Sequence, residues 1–256
     1  MRGHFAADIV RALPDWRTYG AETVRQMRNI GVGSVPLIII VAAFIGAVGT
    51  TLLVFGIARE GRRTNVAAML LAGVAIAALT GALTGLLTFT ANDAQLRSIV
   101  FWMLGSLGGA DLPAVWILLV AVPVPLLILL RMHKPLNALA LGEDQARHIG
   151  VDAEGLKRVV VLCTALMVGA TVALCGVIGF VGLVVPHMLR LAGGADNRFL
   201  LPASALGGAV LLCGADTLAR TVAAPAEVPI GVITALCGAP VFLYLLVRRK
   251  RSLQFA

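Results

Sequence analysis

From Val159 to Leu189 the chain runs for more than thirty positions without an Asp, Glu, Lys or Arg. Crossing the hydrocarbon core of a bilayer takes about 20 helical residues, so this run is too long for one crossing and suits two. Gly176, Gly179, Gly182 and Pro186 supply the break. The expectation is therefore a helix over 159–176, a tight reversal and a short second helix over 178–191, with the three glycines offering a flat face for close backbone approach. A span that short needs protein around its ends.

The rest of the chain has the same texture. Residues are 59% hydrophobic and 13% charged, with a mean hydropathy of +0.94, far from the composition of a soluble domain. Apolar segments near 35–57, 66–90, 114–130, 159–176, 178–191, 200–219 and 229–247 predict an all-α, polytopic transmembrane helical bundle of about seven membrane segments. The domain reading is an amphipathic N-terminal interfacial region over 1–34 and a transmembrane domain over 35–256. No cleavable signal peptide is evident before the first apolar run.

Basic residues orient the bundle. Fourteen Lys and Arg fall in the loop after segment 35–57, in 131–158, in 190–199 and in the tail, whereas the alternate loops carry only Arg97 and Arg220. The first group, and the C-terminus, is expected on the cytoplasmic side. Residues 1–34 resist this pattern, because five arginines there fall outside if segment 35–57 spans; a re-entrant segment 35–57 would return them to the cytoplasmic surface. The basic residues sit at the ends of apolar runs rather than on one face, which excludes nucleic acid as a partner. Cys163, Cys175, Cys213 and Cys237 all lie inside apolar segments and read as small buried hydrophobes rather than disulfides or metal ligands.

Between these segments lies LGEDQARHIG (141–150), a compact charged stretch bracketed by Gly142 and Gly150. Glu143 and Asp144 come first and Arg147 and His148 last, the charge order that suits a short helix dipole. Leu141, Ala146 and Ile149 are expected to face outward as an apolar anchor. In its setting, LALGEDQARHIGVD (139–152), this stretch resembles the cytoplasmic coupling loop of the FecCD-type permeases. These are the membrane subunits of bacterial ABC importers for iron-siderophores, haem and vitamin B12. AMLLAGVAIAAL (68–79), DAQLRSIVFWMLGSLGGAD (93–111), GVIGFVGLVVPHMLRLAGGADNRFLLPASAL (176–206), ADTLART (215–221) and EVPIGVITALCGAPVFLYLL (227–246) follow in that family's order. The family's first helices have no counterpart. Instead, residues 20–47 weakly resemble the opening of the Mla-type phospholipid permeases.

The FecCD resemblance implies roles residue by residue. Leu141, Gly142, Glu143, Ala146, Arg147 and Gly150, within a coupling loop at 136–152, would engage a cytoplasmic ABC ATPase dimer. Arg220, and less strongly Arg97, would dock a periplasmic substrate-binding protein; Arg220 also lies one helical turn from Asp216, so an ion pair is its other reading. Thr64 and Asn65 are good N-caps for the segment that follows and, by the resemblance, candidates for the inner gate. His187 has no second ligand at metal spacing and reads as a packing histidine. Residues 91–113 read as a partial helix on the outer side.

No Walker sequence, HExxH or nucleophile elbow occurs, and Asp216 is the only carboxylate clearly inside a segment, which argues against an intramembrane protease. ATP and Mg are therefore expected on the partner ATPase, with no cofactor or metal on this chain. The resemblance implies a homodimeric permease in the bacterial inner membrane, among membrane lipids. Its cargo is an iron chelate, with haem first, then ferric siderophore, then cobalamin. The alternatives are a lipid-trafficking permease and a transport-inactive membrane scaffold.

Overall fold

Asn65 begins the first long helix that can be followed from cap to cap. Its side-chain oxygen accepts the amides of Ala67 and Ala68, 2.9 and 3.3 Å away, and 25 residues of helix follow. In the computed structural model this is α2 (Val66–Thr90); the structure describes residues 40–60, 63–108, 112–222 and 228–254. The chain divides into two units, Met1–Ala42 and Ala43–Ala256. Most of the first, including the expected interfacial region 1–34, lies outside the described residues, as does most of the Mla-like stretch 20–47.

Helix α1 (Ile40–Ile57) precedes α2. It is one unbroken helix over residues 40–57, and the first five positions of the expected segment 35–57 lie outside the described residues. Between α1 and α2 the chain makes a two-residue antiparallel ladder, Arg59 opposite Thr64 and Glu60 opposite Arg63, the strand pairing among the described residues. Then follow α3 (Asp93–Leu104), α4 (Leu112–Ala121), α5 (Pro123–Arg131) and α6 (His133–Ala140). Next come α7 (Glu143–His148), α8 (Ala153–Cys175), α9 (Val181–Gly193), α10 (Asn197–Val222) and α11 (Ile230–Gln254). Four of these, α1, α2, α8 and α10, are long and apolar enough to cross a membrane. A fifth crossing is available in Val115–Arg131 with α6, a pair bent by 65°; α9 and Ile230–Tyr244 are shorter apolar helices. Over its described residues each of the seven expected segments is thus largely helical, with 114–130 divided at Val122 into α4 and α5.

The break in the long apolar run falls at 176–180. Gly176 caps α8 with φ +72°, and Phe180 opens α9 at φ +67°, the described non-glycine residue with positive φ. The expectation of one glycine-lined helix face is corrected, since Gly176 and Gly179 lie in the turn rather than on a helix. Gly176 serves close approach in another way: a Cβ there would sit 2.2 Å from the Trp102 carbonyl oxygen. Gly231 does the same against Leu104, also at 2.2 Å, and the amide of Ser106 donates to the Cys175 carbonyl at 2.9 Å. The end of α3, the α8–α9 turn and the start of α11 are thereby locked together at one end of the bundle.

Candidate functional site

The opposite end, where α8 begins, holds α7. Gly142 enters it at φ +125° and Gly150 leaves it at φ +85°, conformations that favour glycine, which explains the bracketing glycines. Glu143 and Asp144 occupy its first turn and Arg147 and His148 its last, as the charge order predicts. The amide of Val151 donates to the Ala146 carbonyl at 2.9 Å, turning the chain into Asp152. That carboxylate then caps α8 by accepting the Gly155 amide at 3.0 Å.

Of the three residues expected to face outward, two do so. Leu141 is 73% exposed and Ile149 is 66% exposed, whereas Ala146 is 0% exposed. Its outward placement is corrected: Ala146 is the face by which α7 seats on its own protein, and its small side chain suits it to that contact.

A cluster of polar side chains, two of which (Glu154 and Lys157) sequence reasoning did not single out, fixes α7 in place. Glu154 and Lys157 stand one turn apart at the start of α8. Glu154 accepts the Thr64 amide at 3.1 Å and the Thr64 hydroxyl at 2.8 Å. Lys157, buried, donates to the Thr64 carbonyl at 2.9 Å and to Glu154 at 3.3 Å. Toward α7, Lys157 pairs with Glu143, and Arg147 lies 3.6 Å from Glu154 and 3.9 Å from Glu143. Thr64 is therefore not an N-cap; both its backbone groups and its hydroxyl are spent on α8, and Asn65 alone caps α2. Lys157 is the buried member of the cluster, so leaving its ammonium without a partner is the costly loss. The available signal was Glu154 three residues before Lys157, an intrahelical pair at the mouth of an apolar helix.

Asn137 was likewise unremarked. From α6 its side-chain amide donates to Asp196 at 2.7 Å, and its oxygen accepts the Asn197 amide at 2.9 Å. Asp196 also accepts the Arg198 amide at 2.9 Å. The Arg198 amide first, then Asn137, hold the Asp196 carboxyl below its ordinary range. These contacts tie the α9–α10 turn to α6, at the same end as α7.

Helix α10 runs 26 residues from that turn, about 39 Å at helical rise, and carries Asp216 and Arg220 to the far end. There Arg220 Nε donates to Asp216 Oδ2 at 2.8 Å, the expected ion pair, with both groups open to solvent. Arg97 is exposed on α3, behind a capping box made by Asn92 and Gln95. The two arginines thus share the end opposite α7. His187 is half-buried in α9. Between α9, α10 and α11 lies an apolar cavity of about 310 Å³, lined by Phe180, Val184, Leu211, Cys237 and Val241 among others.

This pattern of parts matches a known lineage over most of the chain, with residues 30–248 fitting the model of the FecCD transport family. The chain belongs to that family. The match begins inside the Mla-like stretch 20–47, so FecCD sequence accounts for its later part. The hemin transport system permease protein HmuU of Yersinia pestis is 48% identical over 216 residues, 83% of this chain and 63% of that protein. The vitamin B12 import system permease protein BtuC of Serratia proteamaculans is 44% identical over 86% of this chain and 66% of its own length. BtuC of Vibrio cholerae is 45% identical over 85% and 65%. The chain thus spans about two thirds of the length of these relatives. Among solved structures, a metal-chelate type ABC transporter in an inward-facing conformation superposes with a TM-score of 0.74 at 32% identity, covering 83% of this chain and 71% of that one.

Proposed function

We propose that this chain is a membrane-spanning permease subunit of an ABC importer for a metal chelate, with haem as the first cargo and ferric siderophore and cobalamin behind it. The observation that carries this is α7, a charged helix seated on α8 by buried Ala146 while Leu141 and Ile149 stand exposed. A small apolar pair rimmed by charge is the chemistry of a protein contact. That helix would receive the ATPase dimer, which binds ATP and Mg, on the cytoplasmic side of the bacterial inner membrane. Arg220 and Arg97 at the far end would meet acidic side chains of a substrate-binding protein, and a second copy would complete the pathway at a two-fold axis. Haem is placed first because the hemin permease is the most identical of the relatives named above, by a margin of a few per cent over the vitamin B12 permeases.

The test is reconstitution of the chain in liposomes with an ABC ATPase and a haem-binding periplasmic protein. ATP-dependent hemin uptake is the expected result. Cobalamin uptake with a cobalamin-binding protein instead would move the cargo, and failure to capture any ATPase would remove the importer reading. Sidedness is read separately: Gln145→Cys should be labelled only from the cytoplasm and Gln95→Cys only from outside.

A further inference from the structure

We infer that Glu154 and Lys157 are positioning residues that carry movement of α7 to Thr64 and Asn65 at the head of α2. The inference rests on the importer reading, in which α7 receives the ATPase and Thr64 and Asn65 border the inner end of the pathway.

Two parallel bridges make the connection. One runs from Arg147 on α7 through Glu154 to the amide and hydroxyl of Thr64. The other runs from Glu143 on α7 through Lys157 to the Thr64 carbonyl. Each α8 side chain thus touches both the helix that faces a partner and the residue that precedes α2. Thr64 and Glu154 stand 90 positions apart in sequence, so no local turn imposes the contact.

The chemistry favours transmission over a passive weld. Lys157 is buried, and its ammonium is shared between Glu143, Glu154 and the Thr64 carbonyl. Drawing Glu143 away leaves that charge less well neutralised in a site of low dielectric, where partly satisfied polar groups are costly. The remaining partners must then readjust, and one of them is Thr64. Asn65 follows directly and holds the first amides of α2, so displacement of Thr64 enters α2 at its cap. The ladder between α1 and α2 gives the segment a second fixed edge about which to turn.

The experiment uses the full chain in lipid nanodiscs and reads hydrogen exchange at residues 64–68. Glu143→Ala, a change confined to α7, should speed exchange there about ten-fold while leaving α10 unchanged. In a Lys157→Met background, where the bridge that Glu143 uses is already cut at α8, the same change should add nothing, and Thr64→Ser, which keeps the hydroxyl, should behave as the unsubstituted chain. An unaffected 64–68 segment, or effects that simply add, would overturn the proposal. With an ABC ATPase bound, Thr64→Val should lower cargo moved per ATP hydrolysed about ten-fold, and Thr64→Ser should restore it. If the unsubstituted chain captures no ATPase, the importer reading falls and takes this proposal with it. If it captures the ATPase and Thr64→Val transports as efficiently, only this proposal falls.

Discussion

Helices α2 and α8 are alike as sequences and unlike as parts of a structure. Both are long and apolar enough to cross a membrane, at 25 and 23 residues. Yet α2 has no buried residue, with Leu70, Leu71, Val74 and Phe89 all facing out, whereas α8 buries Cys163, Ala165, Gly169, Ala170 and Ala173. In lipid the hydrophobic effect does not draw helices together, so contact depends on small residues that admit a neighbour and on polar groups that need one. Helix α8 has both. Its Gly169 admits Phe44 of α1, with a Cβ position 3.3 Å from that ring, and its first turn carries Glu154 and Lys157. Helix α2 is apolar all round, and its polar anchorage is at the N-terminus, through Thr64 and Asn65.

The largest expected effect comes from breaking the base of α8. Ala146→Arg would force a guanidinium into a fully enclosed position and should cost about 3–5 kcal/mol, seen as a lowered unfolding temperature and protease cleavage within 141–151. Leu141→Arg, on the exposed side of the same turn, should leave stability within about 0.5 kcal/mol and instead abolish co-purification with the ATPase.

Next in size is the other end of α8. Gly176→Ala meets both a left-handed backbone and the Trp102 carbonyl, and should destabilise by about 2–3 kcal/mol in thermal unfolding. The matching change on α2, Gly81→Ala, has open space and should gain up to about 1 kcal/mol from helix propensity. Equal effects at the two positions would erase the contrast between the helices.

Arg220→Glu is a smaller perturbation. The exposed pair with Asp216 is worth less than about 1 kcal/mol, so expression should persist while capture of the periplasmic binding protein weakens. Loss of expression instead would make the ion pair the residue's main role.

The smallest effect is a pH dependence at the α9–α10 turn. Asp196 has a lowered folded-state pKa, so its contribution is complete above the ordinary carboxylate range and is lost as pH falls through the depressed value. Asn137→Ala should therefore lower the unfolding temperature at pH 6, and the gap to the unsubstituted chain should narrow as the pH falls below the ordinary carboxylate range.

Much of this was readable in advance where the determinant is local. Apolar run length placed α2 over the very residues expected, 66–90, and the glycines at 176 and 179 located the break between α8 and α9. The charge order of 143–148 and the cap at Asn65 depend on neighbours a few positions away, and both were legible. Ala146 was misread because exposure on a one-turn helix depends on which side meets the protein, and a six-residue segment has too little periodicity to say.

By itself, then, the amino-acid sequence determined where the apolar helices lie, their fitness for a membrane and the chain's membership of the FecCD family, since these follow from hydropathy, breakers and motif order along the chain. Only the tertiary structure decided that Glu154 and Lys157 clasp Thr64 across 90 positions, that Asn137 meets Asp196, and that Gly176 and Gly231 yield their Cβ space to carbonyls of α3. Such pairings are set by how helices come together in space, and a polar side chain at a helix mouth looks the same in sequence whether it faces water or a partner ninety residues away.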